Sequence, residues 1–462
     1  MFNRRQFMRS GAAATAAFSG LASLTSCGPD RSVPNTLSTS RLVADTAGLL
    51  DLPPGFTYSV ISTEGETMSD GLITPGDFDG MAVFDMPDGL TLVRNHELSS
   101  GQSDRSPFLP AGLGIGSIDA SRLYDIGTDG TGVPGGTTTL VLDPETLAIR
   151  NQFLSLCGTY NNCAGGPTPW NSWLTCEETT YRAGNQLTRD HGYVFEVPAN
   201  ARELVEAIPL TDMGRFRHEA VAIDPRTGII YLTEDGYDIA LFYRFIPAQP
   251  GNLSQGGRLQ ALKIVDHPGF DTRNWNGQHF AVGSGFAVEW MDVQDRDNPD
   301  SDIAERHIAM GAAHFTRGEG IWFGENELYF VCTDGGPARA SQIFRYTPSP
   351  LEGQAAEANQ PARLELFLES PGDETLGMCD NITITPWGDL LLAEDGEGEQ
   401  YIRGVTPTGR IYTFARNAFS ENDRYSEFCG PCFSPDGSIL FVNVQSAPSR
   451  TFAIRGPWHA LA

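Results

Sequence analysis

The sequence predicts an all-β fold, a six-bladed β-propeller with irregular insertions, and three observations lead there. Glycine and proline are abundant, at 51 and 30 of 462 residues, and runs of helical period are scarce, which suits many short strands joined by turns. A unit made of a polar glycine turn, an apolar or alternating strand and then acids recurs along the chain. Repetition at about blade length marks a propeller, in which small antiparallel sheets surround a central channel.

The chain begins with Asn3-Arg4-Arg5-Gln6-Phe7-Met8-Arg9 and a short apolar run from Gly11 to Leu24. Paired arginines ahead of such a run form a twin-arginine (Tat) export signal, and the run is too short to span a bilayer. Leu24-Thr25-Ser26-Cys27 resembles a lipobox. Residues 1–27 are therefore expected to be a Tat-type, lipoprotein-like signal peptide that engages the Tat machinery, with acylated Cys27 as a membrane tether. The product would be periplasmic, membrane-anchored or secreted. Residues 28–50, rich in Ser, Thr and Pro, read as a flexible tether, and residues 51–462 as a single propeller domain acting as a monomer.

The repeats follow in order. Asp88-Gly89 leads through a strand to Asn95-His96-Glu97, and Trp170 leads to Cys176-Glu177-Glu178. Gly228 leads to Glu234-Asp235-Gly236, Glu325-Asn326 to Asp334-Gly335-Gly336, Gly388-Asp389 to Glu394-Asp395-Gly396, and Asp436-Gly437 to Asn443. The spacing is irregular between residues 99 and 139 and between 250 and 310, which read as insertions. Strand-ending acids from several repeats would converge on one mouth of the channel.

The formal charge of −27 argues against nucleic acid as a partner, because phosphate backbones are held by fields of Lys and Arg. Such acidity suits a chain that binds cations. Lys263 is the only lysine, so a P-loop or a Schiff-base mechanism has almost no candidate.

Cys176, Glu177 and Glu178 bring a thiol and two carboxylates to one place. A thiolate prefers a transition metal and adjacent carboxylates a hard ion, so a mixed metal centre is expected there. Without Cys27 seven cysteines remain, an odd number for a purely disulfide-bonded exported protein, and Cys176 is the one expected to be free. Cys157 and Cys163 flank a short loop and could pair. Cys429-Gly430-Pro431-Cys432 lacks the following helix of a redox motif and reads as a local disulfide or as inert thiols.

His218-Glu219 and Arg317-Gly318-Glu319 sit in similar places, before a turn, where a carboxylate would enter the channel. Arg-x-Glu on a strand points both side chains to one face, and an arginine beside metal-bound carboxylates is a fork for phosphate or carboxylate. Asp380-Asn381 adds an acid and an amide of the kind that bind calcium. There is no His-Glu-x-x-His and no Gly-x-Ser-x-Gly in the body, so ordinary zinc and serine hydrolases find little support.

Several words of the sequence together resemble the PhoX-type alkaline phosphatases. They are Asp79-Gly80-Met81, Asn95-His96-Glu97, Asn161-Asn162-Cys163 to Glu178, Gly214-Arg215-Phe216 to Glu219, Arg317-x-Glu319, Asp380-Asn381, and Phe433-Ser434-Pro435-Asp436-Gly437 with Phe441 to Gln445. The resemblance implies a Tat-exported six-bladed propeller that hydrolyses phosphomonoesters, releasing inorganic phosphate, with ferric iron (Fe3+) and calcium (Ca2+). It implies Cys176 as an iron ligand, Glu219 and Glu319 as iron ligands or bridges, and Arg317 as the clamp on phosphate. Glu97, Glu177, Glu178, Glu234, Asp235, Asp380, Asn381, Glu394 and Asp395 would complete the iron and calcium sites. Two other readings of the same acids are a calcium-dependent lactonase or esterase and a non-enzymatic, metal-stabilised envelope binding protein.

Overall fold

In this computed structural model, residues 41–396, 398–419 and 426–461 are described. The leader, Cys27 and the tether as far as residue 40 lie outside them. No helix among the described residues is long and apolar enough to cross a membrane.

The fold is all-β and propeller-like. β1 (Leu50–Asp51) and β2 (Thr57–Thr63) precede a meander of β3 (Phe78–Met86), β4 (Gly89–His96), β5 (Gly135–Leu142) and β6 (Ile149–Thr159). A second meander holds β7 (Asn162–Pro167), β8 (Ser172–Glu177) and β9 (Val194–Pro198). A third holds β10 (His218–Ile223), β11 (Ile230–Glu234), β12 (Phe242–Pro247) and β13 (Gly257–Ile264). β14 (Gly285–Asp292) and α1 (Ile303–Ala309), the one α-helix among the described residues, lead to β15 (Gly318–Phe323), β16 (Leu328–Cys332), β17 (Gln342–Thr347) and β18 (Arg363–Glu369). The chain ends with β19 (Cys379–Ile384), β20 (Leu390–Glu394), β21 (Tyr401–Val405) and β22 (Ile411–Asn417), then β23 (Glu427–Phe433), β24 (Leu440–Gln445) and β25 (Arg450–Arg455).

The meanders do not all remain separate sheets. β14 pairs with β13 on one side and with β18 on the other, so the third and fourth meanders merge into one nine-stranded sheet. The insertion expected from residue 250 thus begins only after β13, and it supplies the bridging strand. The ends of the described chain are also recruited. β1 pairs with β22, and β2 completes the last sheet by pairing with β25 from Thr57↔Arg455 to Thr63↔Arg450. Leu50 is buried, so the stretch read as a tether is packed into the fold at its C-terminal end.

The core lies between successive meanders. Phe242 stacks on Phe330 at 4.2 Å between the third and fourth, and Trp173 and Phe195 pack with Phe84 and Val93 between the first and second. Similar apolar wedges separate the remaining neighbours. Such burial is worth about 25 cal/mol per Å² of apolar surface and holds each sheet against the next. The first strands of the meanders are then neighbours all the way round: β3 with β7, β7 with β10, β10 with β15, β15 with β19, β19 with β23, and β23 with β3.

Each first strand carries the same irregularity at its head. The register against the second strand shifts between Phe78 and Met81, Asn162 and Gly165, His218 and Val221, Gly318 and Ile321, Cys379 and Ile382, and Cys429 and Cys432. In four of the six, the residue just before the bulge has left-handed φ: Asp77 at 42°, Asn161 at 51°, Arg317 at 38° and Met378 at 45°. Backbone bonds from Glu97, Glu178, Asp235, Thr333 and Asp395 to residues 77, 161, 217, 317 and 378 lock five of these heads.

Neighbouring first strands approach closely at the bulges. A Cβ added to Gly320 would lie 2.6 Å from Asp380 O and 2.7 Å from Ile382 N. Gly320→Val is therefore expected to cost about 1–3 kcal/mol, visible as a lower melting temperature. Gly116→Ala is the control, since nothing lies within 4 Å of its added Cβ.

Candidate metal centre

The bulges decide which side chains enter the ring. Along a regular strand, side chains alternate between the two faces of the sheet, and here both faces are covered by neighbouring sheets. A bulge turns one residue off both faces. The second residues of the six bulges are Asp79, Cys163, Glu219, Glu319, Asp380 and Gly430, so five of six carry a donor side chain. Donor atoms of Cys163, Glu178 and Glu219 lie within 4.8 Å of one another, as do those of Glu219, Glu319 and Asp380. Glu219 belongs to both groups.

A second set of acids comes from the residues that follow the second strands. His96, Glu177, Glu234 and Glu394 pair with the first residues of their bulges, so Glu97, Glu178, Asp235 and Asp395 occupy one equivalent position. The charges of Glu97 and Asp395 raise the proton affinity of Asp79, Asp380 and Glu427, which places the five in one electrostatic neighbourhood.

Alternation removes several residues that the sequence suggested. Glu177 faces away from the group and accepts hydrogen bonds from Tyr160 N at 2.9 Å, Gly192 N at 2.8 Å and Tyr193 N at 3.1 Å, with His191 Nδ1 at 2.6 Å. Glu234 accepts from Leu241 N and the Tyr243 hydroxyl, and Glu394 from Gly377 N and Arg403 Nε. All three are structural carboxylates. Cys176 also lies apart: it sits inside the regular ladder of β8 opposite Val194, packs among Leu174, Val194 and Met213, and belongs to neither donor group. The thiol beside Glu178 and Glu219 is Cys163. All seven described cysteines are free, so Cys157 and Cys163 are not paired, nor are Cys429 and Cys432.

The sequence reading also passed over Asp79 and Glu427 as site residues, and it passed over Arg217. Arg217-x-Glu219 on β10 repeats the spacing of Arg317-x-Glu319 on β15, and that repeat was the available signal. Arg317 donates from Nε to Asp235 at 3.0 Å and from Nη2 to Glu319 at 2.7 Å. Arg217 donates from Nη2 to Glu178 and to Asp235, the latter at 3.1 Å, and from Nε to Asp235 O at 2.8 Å. The two guanidiniums thus share Asp235. Asn381 accepts from Gly430 N through Oδ1, while its buried Nδ2 has no partner.

Nine carboxylates, those of Asp79, Glu97, Glu178, Glu219, Asp235, Glu319, Asp380, Asp395 and Glu427, face two guanidiniums, an excess of seven negative charges if all are ionised. Asp79 Oδ1 and Asp380 Oδ1 are buried with no hydrogen-bond partner. Burial, with Asp395 and Glu97 nearby, pushes Asp380 up to about 7. Burial likewise lifts Glu97 to about 7, against the hydrogen bond from Gln445. Buried acids of this density need protons or cations, and orphaned oxygens around a thiol fit multivalent cations.

A ring that gathers acids and a thiol beneath arginine forks defines a cation-dependent site for an anionic substrate. The sequence model of the alkaline phosphatase PhoX family matches residues 37–448, and the chain belongs to that family. Its activity is accordingly the hydrolysis of phosphomonoesters. No curated protein matches the chain. Among solved structures it is similar to XC5397 from Xanthomonas campestris, described as a gluconolactonase, at 13% identity over 88% of this chain and 98% of that one, with a TM-score of 0.40. It is also similar to the soluble aldose sugar dehydrogenase of Escherichia coli in its apo-form, at 10% identity over 87% and 100%, with a TM-score of 0.33.

The raised carboxylates set a sign for pH dependence. Asp380 and Glu97 keep protons in the cation-free fold up to about pH 7, whereas in the unfolded chain they release them near 3.8 and 4.5. Between those values the native state binds more protons, so stability without cations falls as pH rises. Chelator-treated protein is expected to melt at a lower temperature at about pH 8 than at about pH 5. Restoring divalent or trivalent cations is expected to erase that difference.

Proposed function

We propose that this chain is a Tat-exported alkaline phosphatase whose six first strands belong to six propeller blades and hold iron and calcium at their centre. The observation that carries the metal assignment is the recurrence of a donor at one bulge position in five repeats. Cys163 with Glu178 and Glu219 offers the thiolate and carboxylates that suit iron. Glu97, Asp79, Asp395 and Glu427, with Asp380 between the two sets, offer the all-oxygen surroundings that suit calcium. Export through the paired arginines, acylation of Cys27 and a monomeric state complete the reading.

When bound, the cations would supply positive charge against the substrate oxygens and a nucleophile at ordinary pH. The protein does the rest. Nη1 of Arg217 and of Arg317 has no partner among the described residues, so each guanidinium keeps an N–H for a phosphate oxygen. Asp235, gripped by both arginines, fixes the spacing of these donors. Cys163 is not the nucleophile: it is buried, its Sγ faces His218 O and Glu219 O at 3.4 and 3.5 Å, and burial beside Glu219 and Glu178 raises its thiol. A lactonase working through one calcium would leave that thiol and most of these acids without a use.

Elemental analysis of protein from its native host, with p-nitrophenyl phosphate turnover before and after chelation, tests the proposal. Iron and calcium should both be found, and activity should vanish on chelation and return when both are restored. Cys163→Ser should lose bound iron and at least tenfold in kcat. Cys176→Ser should keep the metal while losing about 1–2 kcal/mol of stability. Iron-free, fully active protein would refute the assignment.

Arg317→Ala removes one phosphate donor and leaves Asp235 with a single cation. The expected result is a loss of about 10²-fold in kcat/KM for phosphomonoesters. Arg317→Lys should recover little of it, because a point charge cannot span Asp235, Glu319 and a phosphate oxygen together.

A further inference from the structure

Tyr237 stands beside both arginine forks of the site. Among the described residues most aromatic rings are buried, and the exposed large apolar side chains include two aromatic ones, Tyr181 and Tyr237. Both lie on loops that follow carboxylates of the cluster, Glu178 and Asp235. Tyr237 is 64% exposed. Its ring centre is 5.2 Å from the Arg217 guanidinium and 5.3 Å from that of Arg317, the two groups with a free N–H for phosphate among the described residues.

The loop that carries this ring is braced on both sides. Asp235, two residues before it, is held by both arginines. Asp238 O, one residue after it, accepts from Arg273 Nη1 at 2.7 Å and from His314 Nε2 at 2.9 Å. A tyrosine loses little conformational entropy on contact, and this one is already positioned, so its exposed surface is suited to cover a flat apolar group.

We propose that Tyr237 is a specificity-determining residue that stacks on the aromatic leaving group of a phosphomonoester, a nucleobase or an aryl ring. The inference rests on the phosphatase reading and deepens it by naming the substrate class. With the phosphate oxygens on Arg217 and Arg317, a flat group carried by the ester oxygen comes within reach of Tyr237, whose ring centre lies 5.2 and 5.3 Å from the two guanidiniums. A base stacked on an aromatic side chain gains roughly tenfold or more in binding, and a glycerol group has no flat face to offer.

The test compares wild type, Tyr237→Ala and Tyr237→Phe on p-nitrophenyl phosphate, a nucleoside 5′-monophosphate and glycerol 2-phosphate. Tyr237→Ala should lower the ratio of kcat/KM for an aromatic ester to that for glycerol phosphate about tenfold, mainly through KM, and Tyr237→Phe should restore it. A fall for the nucleotide alone, or for the aryl ester alone, supports stacking and identifies which ring the site accepts. An unchanged ratio for both, with wild-type turnover intact, overturns this inference and leaves the phosphatase reading standing. Wild-type protein that hydrolyses none of the three esters overturns both.

Discussion

The centre of the molecule depends on a break in hydrogen-bonded register. Each sheet faces its neighbours on both sides, so an ordinary inner strand could show the channel only its backbone edge. The extra residue at the head of β3, β7, β10, β15 and β19 escapes that constraint, and there the chain carries Asp79, Cys163, Glu219, Glu319 and Asp380. The sixth head shows what governs the position. Gly430 has φ of 58°, and a Cβ there would come within 2.6 Å of Asp79 O, so no side chain fits. Its repeat carries its acid earlier, at Glu427.

Strand alternation performs the second selection. Glu177-Glu178, Glu234-Asp235 and Glu394-Asp395 look like interchangeable acidic pairs, yet the two members of each meet opposite surroundings. The first member lies in the ladder and is satisfied by backbone N–H groups or by Tyr243 and Arg403. The second lies one residue beyond, on the side that faces the ring's interior. His191, lifted to about 9 by Glu177 and Asp125 against the pull of burial, fixes the first pair by holding Glu177 from behind. One carboxylate of each pair therefore builds the scaffold, and the other leaves charge at the centre.

Much of this was legible in the sequence. Turns, strands and terminal acids pointed to the all-β class and the propeller-like ring, and the His218-Glu219, Arg317-x-Glu319 and Asp380-Asn381 words singled out Glu219, Glu319 and Asp380, which the structure brings together. Adjacency to acids pointed to Cys176, but Cys176 lies inside the regular ladder of β8, opposite Val194, whereas Cys163 sits at the bulge of β7. The better signal was Asp79-Gly80, Cys163-Ala164, Glu219-Ala220 and Glu319-Gly320, a donor followed by a small residue at the heads of four of the six repeats. The small residue is required where neighbouring bulges nearly touch. Glu427 had no such signal, and β14, which merges two sheets, could not be read as a bridge because its partners are distant in sequence.

The charge arithmetic constrains the order of events at this site. With nine carboxylates against two guanidiniums at the centre, every acid that ionises without a cation adds to the repulsion of a phosphate dianion, however well the two guanidiniums are placed. Arg217 and Arg317 are themselves committed to Glu178, Asp235 and Glu319, and only their remaining N–H groups are free for substrate. Affinity for the anion must therefore rise with cation occupancy, because bound ions reverse the local potential. Thermodynamic linkage makes the relation reciprocal: a phosphate on the arginine forks tightens cation binding by the same factor. Metal retention and substrate recognition in this fold are then one coupled equilibrium, and the scaffold that sets it is the ring of bulges.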